Sequence, residues 1–412
     1  MPRLLRRVGA RFIALVRADF AGVRAGFIAL LISSGGDLVT GITLGAITNT
    51  LTALPGLIVL VPAAIGMRGN VFGALGSRLG TMIHAGTFRL SARVDTEVGQ
   101  NMAAAMLSSL SIAAVLAVLA KVMFETFGQG PSISVVDFLV ISVIGAIISS
   151  IVVLVLTVAV AAFCARRSLD LDNVAAPIVT AAGDMVTLPS LFIATYLVGY
   201  HIVTPVIGTA CVVLSLGCAV AGLRARGLPV LRRIMIESLP ILAAAGAVDV
   251  LAGMTIEKRF ESFLTYPALR ILVPAFLEDS GSLGSILSAR VSTKLHLGTL
   301  GEGRPKFRYV AEDIMLIYVY AVSVFVFLAI SSTIAAHIVD KSSPGYASML
   351  GVSLIAGFLA TTAAVVVGFY AAVATYRFGL DPDNHGIPLV TSSLDLLGAL
   401  SLILAIVMLG LT

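Results

Sequence analysis

Four aspartates interrupt long apolar stretches of this sequence, and their positions repeat. Asp37 and Asp184 in the first half correspond to Asp249 and Asp395, about 212 positions later. A charged side chain at the centre of a bilayer costs roughly 2.5 to 3.5 kcal/mol on insertion scales, so such residues usually face a water-filled path or a partner. Carboxylate oxygens are also the ligands that hard cations prefer. The four aspartates are therefore the first candidates for chemistry.

The predicted depth of these aspartates brings them to one level of the membrane. At about 1.5 Å per residue, Asp184 lies roughly 15 Å into its helix, and Asp37 lies at a similar depth. A threonine precedes each fifth-helix aspartate by four residues, so each hydroxyl shares a helix face with a carboxylate. These threonines are Thr180 and Thr391. We expect four carboxylates around one pseudo-twofold axis near the midplane.

A purely structural role is the alternative for the fifth-helix aspartates. Asp184 and Asp395 could accept structural hydrogen bonds, or form ion pairs with Arg78 or Arg290. Both halves keep the acid, which favours a cation path. Gly41 and its counterpart follow the first-helix aspartates by four residues and predict close helix approach there.

The repetition extends well beyond the acids. Three ordered blocks of the first half, residues 37–43, 61–84 and 166–184, recur as residues 249–255, 273–296 and 377–395. Repetition on this scale predicts two similar halves that share one site.

The elements that must position these residues are membrane helices. With 58% hydrophobic and 12% charged residues and a mean hydropathy of +1.05, the chain has too few polar residues to cover a soluble globule of this length. Apolar segments of about 20 residues, long enough to cross roughly 30 Å of hydrocarbon, recur along the chain. The predicted spans are 22–46, 52–76, 100–122, 135–163, 174–198, 204–223, 238–257, 264–288, 313–337, 348–373 and 385–410.

Five of these spans belong to each half, and the segment 204–223 belongs to neither. Five crossings leave the chain on the opposite face, so one extra crossing lets the second half begin on the same side as the first. The predicted fold is an all-α polytopic membrane protein with two parallel five-helix repeats joined by a linker transmembrane helix. We expect a basic amphipathic segment, the first repeat, the linker with its loop, and the second repeat at residues 1–21, 22–200, 201–236 and 237–412.

Basic residues predict the orientation of this bundle. Most of the arginines and lysines between helices fall on one side, which is expected to be the cytoplasm. The N-terminus is then cytoplasmic and the C-terminus outside, with Lys258, Arg259 and Arg270 as the main basic exceptions on the outer side. Residues Met1 to Phe20 alternate arginine with apolar side chains, which predicts an amphipathic helix on the cytoplasmic surface.

Each half also carries a segment rich in Pro and Gly within an apolar span. These segments, Pro62 to Asn70 and Pro274 to Ser282, predict irregular backbone that lines a cavity, with a simple kink as the alternative. The copies differ, because Glu278 and Asp279 stand where the first half has Gly66 and Met67. The predicted path is therefore not fully symmetric.

The available ligands indicate the kind of ion. Carboxylate, hydroxyl, amide and water oxygens suit hard cations such as Mg²⁺, and the absence of clustered Cys or His argues against Zn²⁺ or Cu⁺. We expect divalent cation transport, with Na⁺ or H⁺ coupling as the alternative. A transporter of another small solute would show an aromatic-lined cavity, which 7% aromatic residues and no Trp disfavour. A membrane-embedded aspartyl hydrolase would show a GxGD pattern around its acids, so no enzyme activity is expected.

Four segments resemble a known family. They are "VPAAIGMRGNVFGALGSRLGT", "VPAFLEDSGSLGSILSARVST", "LDLDNVAAPIVTAAGDMVT" and "DPDNHGIPLVTSSLDLLG". Together they resemble the transmembrane domain of MgtE-type magnesium transporters, and the two-repeat layout is similar to solute-carrier family forty-one. The resemblance implies that paired five-helix units enclose a magnesium path. It also implies that the acid after "PIVT", here Asp184 and Asp395, binds the ion in the pore.

The candidate metal ligands are thus Asp184, Asp395, Asp37 and Asp249, and the candidate residues of the ion pathway are Thr180, Thr391, Asn70, Glu278, Asp279 and Ser282. The family has a Gly-Asn pair after the proline, and the resemblance implies that Asn70 belongs to the corresponding pair in the first half. The second half reads Gly281-Ser282 at that place. The expected partners are a divalent metal ion and the lipid bilayer, and not nucleic acid. Because both repeats lie in one chain, a monomer is expected.

Overall fold

The structure is a computed structural model that describes residues 20–128, 130–167, 171–259, 265–298, 307–380 and 385–411. The predicted surface helix of residues 1–20 lies outside this part of the chain, apart from Phe20. Within helices, the side chains of residues 21, 22, 25, 48, 167, 171–178 and 308 are likewise not described. Every candidate site residue falls within the described segments.

Eleven long helices make up the described chain, and these residues contain no strand. They are α1 (Phe20–Ala46), α2 (Leu57–His84), α3 (Glu97–Phe127), α4 (Val135–Arg167), α5 (Leu171–Thr195), α6 (Val203–Leu223), α7 (Pro229–Glu257), α8 (Pro267–His296), α9 (Ala311–Ile338), α10 (Tyr346–Phe378) and α11 (Ile387–Met408). A short helix, Thr48–Ala53, follows α1, and a 3-10 turn, Phe307–Tyr309, precedes α9. The predicted all-α fold of about eleven helices is confirmed.

Nine of these long helices are apolar enough over 18 residues to cross a membrane by length and composition, within the part of the chain that the structure describes. The other two are α5, whose described apolar part is Val179–Thr195, and α8. Helix α8 carries Arg270, Glu278 and Asp279 along its length, and it packs against α1, α9, α10 and α11. A helix this polar can lie inside a membrane protein because other helices, and not lipid, surround it.

The prediction of irregular backbone around the two prolines is wrong. Pro62 lies inside α2 and Pro274 inside α8, and both helices continue through the glycine-rich segments that follow. Each proline removes one intrahelical hydrogen bond but leaves the later bonds intact. Arg270, which the sequence analysis counted among the few basic residues on the outer side, lies within α8 and is buried. The proline segments therefore present regular helix faces to the interior.

The first helix of each half crosses to the other half. Helix α1 packs against α5 and α8, and α7 correspondingly packs against α11 and α2. A Cβ atom on Gly41 would overlap the backbone carbonyl of Ile271, and one on Gly253 would overlap that of Val59. The predicted close approach at these glycines is therefore confirmed, and it joins helices from different halves.

Helix α6 lies on the outside of the first half. It packs against α3 and α4, and less extensively against α7. Much of its surface is exposed and apolar, including Val206, Val213 and Leu216. Helix α6 therefore lies outside the interior that the two halves share.

Candidate functional site

The first pair of acids joins α1 to α5. Asp37 and Asp184 are 1% and 2% exposed, and their carboxyl groups lie within hydrogen-bonding reach of each other. No described group donates a normal hydrogen bond to any of the four carboxylate oxygens. Asp184 therefore does not form the alternative structural hydrogen bond to a donor. None of the ion pairs among the described residues involves either acid.

The second pair repeats this arrangement between α7 and α11. Asp249 is fully buried, Asp395 is 8% exposed, and their carboxyl groups again lie within hydrogen-bonding reach. The Ser392 hydroxyl faces Asp249 at a longer range than a normal hydrogen bond. Both carboxylates approach Gly66 of α2: a Cβ atom there would lie 3.2 Å from Asp249 Oδ2 and 3.3 Å from Asp395 Oδ2.

Glu278 is the one acid that interacts electrostatically with all four aspartates. It lies on α8, and its charge acts on Asp37 and Asp184 in one pair and on Asp249 and Asp395 in the other. Among the described acids, Glu278 is therefore within electrostatic range of both pairs. The residue at the corresponding position of the first half, Gly66, has no charge to offer.

These acids form two pairs and not one tight cluster. Among the described residues, no group of three or more His, Cys, Asp or Glu side chains is close enough to hold a metal ion directly. Mg²⁺ loses water reluctantly and commonly keeps several waters when it binds carboxylates. The arrangement therefore suits an ion that retains part of its hydration shell.

Asp279 faces α1, the helix that carries Asp37. It is fully buried, and the Ser34 hydroxyl lies 2.8 Å from each of its carboxylate oxygens. At the corresponding positions of the other half, Met67 Cε lies 3.3 Å from where a Cβ on Gly246 would be. The sequence analysis identified Asp279 but missed Ser34, which a search of the first helix for buried hydroxyls would have found.

The remaining pathway candidates lie one or two turns away from the acids. The Thr391 hydroxyl donates to Asn70 Oδ1 at 3.2 Å and links α11 to α2, while Asn70 Nδ2 is buried without a partner. The Thr180 methyl group would contact a Cβ on Gly69 at 3.7 Å. Ser282 is partly buried on α8, and no described hydrogen bond joins it to an acid. The structure thus brings Thr391 and Asn70 together.

The alternative ion pair between Asp395 and Arg290 is not present. Arg290 Nε instead lies 2.8 Å from Asp313 on α9, and the Lys294 ammonium group binds the other oxygen of the same carboxylate. Arg78 lines a separate small cavity together with Asn70 and Ser108.

A buried arginine that the sequence analysis missed lies on α2. Arg68 is 2% exposed, its Nε donates to Ser149 Oγ at 2.9 Å, and its Nη1 donates to Ser109 Oγ. No described carboxylate pairs with it. The sequence signal that could have identified Arg68 is its position within a predicted membrane span, residues 52–76. Because the serines lie on α3 and α4, the guanidinium group ties three helices of the first half together.

A small cavity lies between the two halves. Its lining is nearly symmetric, because five pairs of corresponding residues contribute to it: Leu44 and Ile256, Val61 and Val273, Pro62 and Pro274, Ile65 and Leu277, Gly66 and Glu278. Ile58 and Asp395 complete the wall. The cavity is therefore apolar apart from two carboxyl groups, those of Glu278 and Asp395, which both belong to the second half.

Comparison with known proteins identifies one family model and several related solute carriers. The family model MgtE, described as a divalent cation transporter, matches residues 61–194 and 273–405. Solute carrier family 41 member 3 of Rattus norvegicus is 22% identical over 396 residues, which cover 90% of this chain and 84% of that protein. Member 2 of Gallus gallus is 25% identical over 359 residues, which cover 82% and 62% respectively. No solved structure matches the chain.

Proposed function

Since this chain belongs to the MgtE family of divalent cation transporters, we propose that it carries Mg²⁺ across the membrane along a path between its two halves. The observation that carries this proposal is that Asp37, Asp184 and Asp249 are buried acids whose carboxylate oxygens have no hydrogen-bond partner among the described residues. A buried carboxylate that lacks a partner is costly unless a cation or a hydrogen bond compensates it. A passing divalent cation would supply that compensation.

Asp37, Asp184, Asp249 and Asp395 are the proposed ligands in this path. Each carboxylate would contact the ion mainly through its bound water, because the described acids do not converge on one point. Oxygen ligands at this spacing favour Mg²⁺ over ions that prefer thiolate or imidazole. The hydrogen-bonded pair Thr391 and Asn70 continues the path away from the acids with neutral oxygens.

The topology and the oligomeric state belong to the same proposal. Helices α1–α5 and α7–α11 would form two parallel repeats within residues 22–200 and 237–412, with α6 as the linker. The excess of basic residues on one side supports a cytoplasmic N-terminus and an external C-terminus. Both acid pairs lie in one chain, which supports a functional monomer.

Flux through the purified protein in liposomes tests this function. The double variant Asp184→Asn with Asp395→Asn should lower Mg²⁺ uptake, followed with an enclosed Mg²⁺ indicator, by about 100-fold. The control is Asp95→Asn, which changes an exposed acid in the segment before α3. Mg²⁺ uptake at the wild-type rate in the double variant would refute the proposed path.

Exchange against Na⁺ or H⁺ is the second candidate. Glu278 and Asp279 are present in only one half, and an exchanger needs a site that the permeation path alone does not require. Mg²⁺ flux measured with and without an imposed Na⁺ or proton gradient separates the two mechanisms. Flux that does not saturate and does not respond to either gradient would exclude exchange.

A further inference from the structure

We propose that apolar residues from both halves form a hydrophobic gate, which closes the path between the acid pairs and the end of the bundle at which α1 and α7 finish. The inference rests on the proposed path between the halves and adds the element that controls entry from that end. The gate consists of four residues from each half, namely Leu44, Val61, Pro62 and Ile65 with Ile256, Val273, Pro274 and Leu277.

The first and seventh helices place the gate between their aspartates and their C-terminal ends. Leu44 follows Asp37 by seven residues, or about 10 Å along the helix, and α1 ends two residues later. Ile256 follows Asp249 by the same seven residues, and α7 ends one residue later. An ion that enters at this end therefore has to pass both side chains before it meets an aspartate.

The second and eighth helices bring the other gate residues to the same level. Val61 and Pro62 lie in the first two turns of α2, before Gly66, which approaches the carboxyl groups of the second acid pair. Val273 and Pro274 occupy the corresponding positions of α8. Two helices from each half thus converge on this end of the path, and they present apolar side chains there.

These side chains leave no open passage. All eight gate residues are buried, and only a small cavity remains among them. The contacts of Gly41 with the Ile271 carbonyl and of Gly253 with the Val59 carbonyl hold the same four helices together between the aspartates and the helix ends. A hydrophobic constriction excludes ions because water leaves it, and Mg²⁺ gives up its own water reluctantly. The bundle is therefore closed to this ion at one end.

The groups on the other side of the acids are polar. Asn70 lies one turn beyond Gly66 in the direction away from the gate, and it accepts a hydrogen bond from Thr391. The second cavity, which Asn70 also lines, adds the hydroxyl groups of Ser108 and Ser238. Apolar residues on one side of the acids and polar groups on the other are the arrangement expected of a path that is shut at one end.

A cysteine placed in the gate measures the access of water to it. Ile65→Cys puts a thiol one residue from Gly66, in a background in which alanine replaces the three native cysteines. Adding Leu44→Asn with Ile256→Asn should raise the rate at which a water-soluble maleimide modifies this thiol at least tenfold. The reason is that polar side chains of similar size allow water to enter the constriction.

The matched control introduces the same two asparagines elsewhere in the buried part of the bundle. Leu316 and Leu328 on α9 are 1% and 0% exposed and do not line the cavity. Leu316→Asn with Leu328→Asn should leave the maleimide rate unchanged, and thermal unfolding of both double variants checks that they are folded. Equal rates in the two folded variants would overturn the inference.

A milder pair of substitutions keeps the test decisive whether or not the asparagine variants fold. Val61→Thr with Val273→Thr retains the shape of the gate and adds only two hydroxyl groups, so the maleimide rate should rise about threefold. Val324→Thr with Val352→Thr, at fully buried positions outside the gate, is the control. No difference between these variants would also overturn the gate. Absence of Mg²⁺ flux in the wild-type protein would instead refute the proposed function, on which the maleimide rates do not depend.

Discussion

Ser34 on α1 and Asp279 on α8 form a buried polar contact between the two halves, with the hydroxyl 2.8 Å from each carboxylate oxygen. The Ser34 hydroxyl also lies 2.7 Å from the carbonyl of Leu30 one turn earlier. In the other half the same interface holds an apolar contact between Met67 and Gly246. The two interfaces between the halves therefore have different chemistry.

Removing this hydroxyl should destabilise the protein. Ser34→Ala would leave the buried Asp279 carboxyl without a donor from α1, which costs about 1 to 3 kcal/mol. Thermal unfolding in detergent should show a lower midpoint than for the wild type. Ser323→Ala is the control, because Ser323 is partly exposed on α9 and its described hydrogen bond is to its own helix. Equal midpoints for the two variants would mean that the contact contributes nothing.

The geometry around Arg68 predicts that lysine cannot replace it. A guanidinium group donates in two directions at once and reaches Ser109 and Ser149 on different helices, whereas an ammonium group on a shorter, flexible stem does not reproduce that fork. Arg68→Lys should lower the free energy of unfolding by about 1 to 3 kcal/mol. Arg93→Lys, at an exposed position, should leave it unchanged. A neutral result for Arg68→Lys would remove the assigned role.

The crossing of α1 over α8 depends on the missing side chain at Gly41. Gly41→Ala would press a methyl group into the Ile271 carbonyl, and overpacking of this kind costs about 1 to 3 kcal/mol. Both thermal stability and Mg²⁺ flux should fall, because the helix that carries Asp37 must move. Gly35→Ala on the same helix meets nothing within 4 Å and should behave as wild type. The packing would be wrong if the two variants were alike.

The hydrogen bond between Thr391 and Asn70 predicts that these two residues contribute uncharged oxygen atoms to the path. Thr391→Val keeps the shape and every charge but removes the hydroxyl that links α11 to α2. Mg²⁺ flux should fall several-fold because the path loses a neutral oxygen, and thermal stability should fall only slightly because Thr391 is partly exposed. Thr209→Val, on the exposed face of α6, is the control. An unchanged flux in Thr391→Val would show that this pair is not part of the path.

Much of the fold and part of the site could be predicted from the chain alone. Membrane helices reveal themselves by apolar length, because each must satisfy its own backbone hydrogen bonds in lipid. An acid inside such a helix is costly, so Asp37, Asp184 and their two counterparts stand out as candidates without any knowledge of their neighbours. The prediction around Pro62 failed because a proline's effect depends on the helices that surround it.

The pairing of those acids needed the folded chain. Ser34 and Asp279 are 245 positions apart, and nothing in their local sequence indicates that they meet. The same holds for the approach of Gly66 to Asp249 and Asp395, and for the serines that hold Arg68. Local composition sets which segments become helices and which polar groups are buried. The identity of the group opposite each one depends on how distant helices pack, because packing is a property of surfaces brought together from the whole chain.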